Sequence, residues 1–236
     1  MDFGNRTVVI TGGTGALGTA VTTALLSAGA HCRIPYMHED EAKRFPHRSD
    51  RGVTLVAVDD LADETAVAKL YGDAKGLWAS IHIAGGFAMS PVAKTDKAAL
   101  MAQLNMNLVS CFLCCRAAVN AMTSGNQAGG GGRIVNVAAR AALEWRSGAG
   151  MAAYTAAKTG VAALTAALAE EVAKDGILVN AVAPSIMDTP ANRASMPKAD
   201  FAAWPKVEEV AATIAFLASP GNLVTRGAIV PVYGKA

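Results

Sequence analysis

Charge is scarce in this chain. Only 17% of its 236 residues are Asp, Glu, Lys or Arg, and 21 basic against 19 acidic side chains leave a formal net charge of +2. A nucleic-acid grip needs a clustered basic footprint, so that class of partner is excluded. Lys43, Arg44, Arg48 and Arg51 do lie close together, but Glu39, Asp40, Glu41 and Asp50 are interleaved with them, the pattern of a solvated face. Cysteines number four, Cys32, Cys111, Cys114 and Cys115, and no second ligand cluster stands within zinc-site spacing. Buried free thiols and no metal are expected. No apolar run approaches the roughly 20 residues of a membrane span, so no membrane partner is expected either. The opening MDFGNRTVVITGG shows no basic region followed by an apolar stretch and cleavage site. A cytoplasmic location is the expectation. Disorder is excluded by a hydrophobic content of 52%.

What is present is alternation. Short β-branched runs at Thr7–Thr11, His31–Pro35, Thr54–Val58, Leu77–Ala84, Arg133–Val137, Leu178–Val182 and Ala228–Val232 read as strands. Alanine-rich stretches near Ala16–Ala28, Asp63–Tyr71, Lys97–Met122, Ala152–Lys174 and Val207–Ala218 read as helices. Residues 126–132, with four consecutive glycines, read as a surface loop before the fifth strand. Right-handed crossovers between such units give one α/β domain over residues 1–236, a doubly wound Rossmann fold with a seven-stranded, mostly parallel sheet and helices on both faces. A substrate lid is expected around 187–205, where Met187, Met196, Phe201 and Trp204 would line or cover a pocket.

Directly after the first strand comes Gly12-Gly13-Thr14-Gly15-Ala16-Leu17-Gly18. Glycines there let the backbone turn sharply and approach a pyrophosphate, whose charge then rests on the N-terminus of the next helix. Asp60, after the third strand, could reach an adenine amino group. An acid ending the second strand would bind the ribose 2′-hydroxyl of NAD, and an arginine nearby would welcome the 2′-phosphate of NADP. Ile34-Pro35-Tyr36-Met37-His38 offers neither, so the cofactor is read as NAD or NADP. Tyr154 and Lys158 stand four residues apart on one helix face, where an ammonium favours the phenolate and draws its pKa toward the working range.

The glycine loop, His82-Ile83-Ala84-Gly85-Gly86, Asn107, Tyr154 with Lys158, and Pro184-Ser185-Ile186-Met187-Asp188-Thr189-Pro190 follow one another in the order of a known family. The chain resembles the short-chain dehydrogenases/reductases over essentially its whole length. The resemblance implies hydride transfer to or from a small carbonyl or hydroxyl substrate, with Tyr154 as general acid/base. Lys158 would lower the tyrosine's pKa and hold the nicotinamide ribose, and Asn107 would position a water of the proton relay. The cofactor would lie along Gly12, Gly13, Thr14, Gly15, Leu17, Gly18, Tyr36, Asp60, Leu61, Ala84, Gly85, Gly86, Pro184, Ile186 and Thr189, besides Tyr154 and Lys158. Family members pair as homodimers or homotetramers through long helices, for which Cys111–Met122 and Ala152–Ala169 are suited.

Two departures stand out. Ala16 occupies the middle glycine of the family's Thr-Gly-xxx-Gly-x-Gly loop, with Gly15 one position early. More seriously, the family's catalytic serine has no counterpart in Ala138-Ala139-Arg140-Ala141-Ala142-Leu143. A donor of that kind is worth about 10²–10³ in rate. Arg140, Glu144 and Trp145 are the substrate-contact candidates of that stretch. Dihydropteridine reductases tolerate alanine there, and the run from Asp188 to Phe201 is similar to theirs, so reduction of a quinonoid dihydropterin is an alternative. A dinucleotide-binding regulator without catalysis is an alternative of another class.

Overall fold

The computed structural model describes residues 1–124 and 131–235. Seven strands form one sheet in the order β3-β2-β1-β4-β5-β6-β7: β1 (Thr7–Thr11), β2 (His31–Tyr36), β3 (Val53–Ala57), β4 (Leu77–His82), β5 (Gly132–Val137), β6 (Ile177–Pro184) and β7 (Ile229–Val232). Every pairing is parallel, so the expected mostly parallel sheet is wholly so. Parallel neighbours need crossover helices, which cover both faces of the sheet.

The continuous apolar strands divide their side chains between two cores. Val8 and Ile10 face one layer, with Leu17, Val21 and Leu25 of α1 (Ala16–Ser27) and Val210 and Ile214 of α9 (Val207–Ala218). Val9 faces the other, with Val67 and Leu70 of α3 (Glu64–Gly72) and Val161 of α7 (Ala152–Glu171). That is the period-two alternation of a strand buried on both sides.

The helix expected over Lys97–Met122 is broken into α4 (Lys97–Leu104), a π turn at Asn105–Val109 and α5 (Ser110–Ser124). The whole of Lys97–Ser124 is long and apolar enough to cross a membrane by length and composition. It escapes a search for uninterrupted apolar runs because Gln103, Asn105, Asn107 and Arg116 punctuate it. Gln103, Asn107 and Ser110 are buried along with Cys111, Leu113, Cys114, Cys115, Ala118 and Met122, so it packs as a core helix of the fold.

Three short helices lie outside the expected set: α2 (Glu39–Arg44), α6 (Arg140–Leu143) and α8 (Pro190–Ser195). The first part of the mixed-charge stretch is α2, with acids in its first turn and bases in its last, the arrangement a helix dipole favours, and Arg48, Asp50 and Arg51 follow it outside the helix. In α8, the Thr189 hydroxyl accepts from the Asn192 amide and Pro190 opens the helix. Of the expected glycine loop, residues 126–130 lie outside the described residues, and Gly132 already belongs to β5.

Candidate active site

The strand order reverses between β1 and β4, and the carboxyl ends of those strands form the crevice where a doubly wound sheet takes its ligands. Gly12 leaves β1 in the left-handed region at φ +69, and a Cβ on it would lie 2.7 Å from the Ala84 amide nitrogen. A Cβ on Gly13 would lie 2.6 Å from Ile34 Cγ2, and one on Gly18 would strike the Gly12 carbonyl. Only glycine lets these three backbones nest. The Gly15 amide donates to the Gly12 carbonyl over 3.1 Å, which closes the turn. Helix α1 then begins with no side-chain cap and no acid in its first turn. Its unpaired amides and positive dipole end are free for an anion. Thr14 and Gly15 sit on the rim, while Leu17 and Gly18 are buried beneath it. The displaced glycine pattern thus still makes a tight turn that opens onto an uncapped helix start.

Farther along the crevice, the Tyr36 hydroxyl donates to Glu39 Oε1 over 2.9 Å. Sequence reading found no acid at the tip of β2. The structure supplies one from the first turn of α2. Asp60 is exposed after β3, and its Oδ1 accepts from the Ala62 amide over 2.8 Å, with Leu61 half-buried beside it. At the end of β4 the Ala84 amide donates to Thr11 Oγ1 over 3.3 Å.

Asn107 and Lys158 converge on Gly85. A Cβ there would lie 2.6 Å from Asn107 Oδ1 and 3.4 Å from Lys158 Nζ. Asn107 Nδ2 donates to the carbonyls of Gly86 (2.9 Å) and Gln103 (3.0 Å), and its Oδ1 accepts from the Gly86 amide (3.2 Å). The π turn holds Asn107 in this position and ties α4 to the loop after β4. Lys158 is 6% exposed and donates to the Val137 carbonyl over 2.8 Å. Burial lowers it from the usual 10.5 to about 8. Tyr154 stands one turn earlier on α7, its ring edge-on to Phe87 at 5.1 Å and 86°.

Burial pushes the Tyr154 phenol up to about 12. Loss of solvent is the cause of that rise, and the downward pull expected from Lys158 does not show in the protein alone. At neutral pH the phenol therefore keeps its proton.

Ala139, in extended backbone, precedes α6. Between Ala138 and Leu143 no side chain bears a hydroxyl. Arg140 Nε donates to Glu144 Oε2 over 2.7 Å, and its guanidinium lies 5.0 Å from the Tyr233 ring centre. Ser185 Oγ donates to the Tyr233 carbonyl over 2.9 Å, which brings the end of β6 to the same cluster. Trp145 is 69% exposed, with Nε1 on the Ala142 carbonyl. Pro184 is buried at the end of β6, Ile186 is exposed and Thr189 caps α8.

Arg193 and Asp188 form a two-toothed ion pair at 2.6 and 2.8 Å, Arg193 lies over Phe201, and Phe201 packs on Trp204. Four participants escaped the sequence reading: Phe87, Glu39, the Val137 carbonyl and Tyr233. Phe87 had a visible signal, since it follows the Ala-Gly-Gly at the end of β4.

The sequence matches the short chain dehydrogenase family model over residues 6–200. A cis-4-hydroxycyclohexanecarboxylate dehydrogenase of Sinomonas cyclohexanicum is 34% identical, covering 98% of this chain and 96% of that protein. The (2S)-[(R)-hydroxy(phenyl)methyl]succinyl-CoA dehydrogenase subunit BbsD of Thauera aromatica is 32% identical over 80% of this chain and 76% of its own. Among solved structures, ElxO with NADP bound superimposes with a TM-score of 0.82 at 25% identity, covering 98% of each chain. Cradle, residue order and relatives agree: the chain belongs to the short-chain dehydrogenase/reductase family and is an NAD(P)-dependent oxidoreductase.

Proposed function

We propose that the chain interconverts a small carbonyl compound and its alcohol, with Tyr154 as general acid/base. The carrying observation is the meeting of Asn107 and Lys158 at Gly85, one helix turn from Tyr154 and beside the glycine cradle. When bound, NAD(P) supplies or accepts the hydride. Tyr154 retains its phenolic proton at neutral pH and delivers it to the substrate oxygen, so the free protein is set for reduction. Lys158 is held by Val137 where a nicotinamide ribose would lie, and Asn107 fixes the Gly86 backbone that floors the site. Glu39, presented beside Tyr36, fits a ribose 2′-hydroxyl and favours NAD.

With no serine at Ala139, substrate orientation falls to Arg140, whose guanidinium can exchange Glu144 for a substrate carboxylate. The relative from Sinomonas acts on a hydroxycarboxylate, which supports that reading. Neither of the two relatives named above is a pterin reductase, so the dihydropterin reading stands behind it. Exposed Met101, Met106 and Phe112 on α4, the π turn and α5 support self-association as a homodimer or homotetramer, and four free cysteines fit a cytoplasmic location.

Tyr154→Phe tests the assignment. The variant should bind cofactor like the parent and lose turnover by at least about a hundredfold. Full activity of the Phe variant would refute the role of Tyr154. Cofactor binding by the parent without turnover on any carbonyl, alcohol or dihydropterin would favour the regulator reading.

A further inference from the structure

Beneath the catalytic floor lies a buried polar cluster that the proposed chemistry does not use. His82 closes β4 and is 3% exposed, while Cys111 and Cys115 stand one turn apart on α5 at 4% and 2% exposure. One ligand atom from each, an imidazole nitrogen and two sulfurs, lie within 4.8 Å of one another. Cys115 Sγ is 3.5 Å from His82 Nδ1. Asn136 Oδ1 is their common neighbour, 2.8 Å from His82 Nδ1, 3.3 Å from Cys111 Sγ and 3.5 Å from Cys115 Sγ. A linear search misses the cluster because its histidine comes from a strand and its thiols from a helix two elements later.

We propose that His82, Cys111 and Cys115 form a site for one thiophilic cation, zinc or cuprous, with Asn136 Oδ1 as the fourth neighbour. Thiolate and imidazole donors select those ions. Zinc bonds sulfur at about 2.3 Å and nitrogen at about 2.0 Å, so ligands sharing one tetrahedral ion stand roughly 3.5–4 Å apart. Cys115 Sγ and His82 Nδ1 at 3.5 Å already stand at that spacing, the three ligand atoms lie within 4.8 Å of one another, and side-chain shifts that draw in the sulfurs and part Asn136 Oδ1 from His82 Nδ1 complete the fit.

On binding, the two thiol protons leave to solvent and two metal–sulfur bonds replace the S–H bonds, with no redox change. The His82 ring proton moves to Nε2, where Ser80 Oγ at 2.8 Å and Tyr71 Oη at 3.2 Å already stand to receive it. Such an outer hydrogen bond fixes the tautomer of a ligating histidine. Tyr71 also lines the open cleft between α3 and α5, so it stands between that cleft and the cluster.

Occupancy reaches the reaction through one residue. Asn136 precedes Val137, whose carbonyl holds Lys158. Drawing Asn136 Oδ1 toward an ion disturbs that anchor, so the site acts as an inhibitory one.

Cobalt(II), added anaerobically to the purified, reduced full-length protein, tests this. One equivalent should produce an intense thiolate-to-cobalt charge-transfer band, and zinc should abolish it by displacement. The double variant Cys111→Ser/Cys115→Ser should lack the band. Cys114→Ser should keep it, because Cys114 is not among the three residues whose ligand atoms gather within 4.8 Å. His82→Asn serves the same test should the double variant fail to fold, judged by its thermal melt and cofactor binding. No band in the parent, or a band surviving in the double variant, overturns the site. In a turnover assay, zinc should inhibit the parent at least tenfold more strongly than the double variant. Equal inhibition of both would overturn the link to Lys158. The absorption readout is independent of turnover, so failure of the site and failure of the proposed reaction are distinguishable.

Discussion

Replacing Lys158 by methionine exposes what the buried ammonium costs the fold. Lys158 is 6% exposed and its ammonium donates to the Val137 carbonyl. Burial lowers its pKa from 10.5 to about 8, opposed in small part by Cys111. At ~1.4 kcal/mol per pH unit, this places on the order of 3 kcal/mol of destabilisation on the folded state at neutral pH. Below pH 8 both folded and unfolded chains carry the proton, and the cost is fully present. Between 8 and 10.5 the unfolded chain holds a proton that the folded chain has released, so stability rises with pH. Methionine removes this dependence and leaves the Val137 carbonyl without that donor, a loss of ~1–3 kcal/mol. The two effects nearly offset at pH 7.

The pH dependence separates them. Denaturant unfolding of both proteins without cofactor, from pH 7 to pH 10.5, should show the parent gaining about 3 kcal/mol relative to Lys158→Met. Parallel curves would refute the buried-charge reasoning. Activity should be lost in the variant at every pH, although its stability at pH 7 stays close to the parent's.

Other expectations follow from single contacts. Gly18→Ala drives a Cβ into the Gly12 carbonyl, an overpacking of ~1–3 kcal/mol, and should weaken cofactor binding about tenfold or more in a fluorescence titration. Ala139→Ser puts a hydroxyl into the stretch where the family carries its serine and should raise carbonyl turnover up to about a hundredfold. No gain would mean that another group already fills that place. Glu39→Gln should shift the NADH-to-NADPH preference toward NADPH by roughly tenfold, measured as the ratio of kcat/KM, since a hydrogen bond to a charged group is worth ~1.5–3 kcal/mol. An unchanged ratio would remove Glu39 from cofactor selection.

Local chemistry was legible in the sequence and distant chemistry was not. Gly12 to Gly18 could be read because turn, close approach and helix start all lie within seven residues. Tyr154 and Lys158 could be placed together because helical spacing sets them on one face. Their proton affinities could not, since desolvation depends on Phe87 and on strand β5, which arrive from elsewhere in the chain. The π turn at Asn107 leaves no mark in composition, and it divides a stretch that reads as one helix. Glu39 was visible as a charge, but its approach to Tyr36 depends on how α2 leaves β2. Tyr233 meets Arg140 only because β7 returns beside β6.

Hydride transfer itself can be watched with reduced nicotinamide deuterated at C4, incubated with the protein and a panel of carbonyl compounds that includes ketocarboxylates. The account predicts loss of the reduced-nicotinamide absorbance, with deuterium on the carbon that becomes the alcohol carbon, and neither event in Tyr154→Phe. Bound cofactor that stays reduced across the panel, or product without deuterium on that carbon, would contradict it.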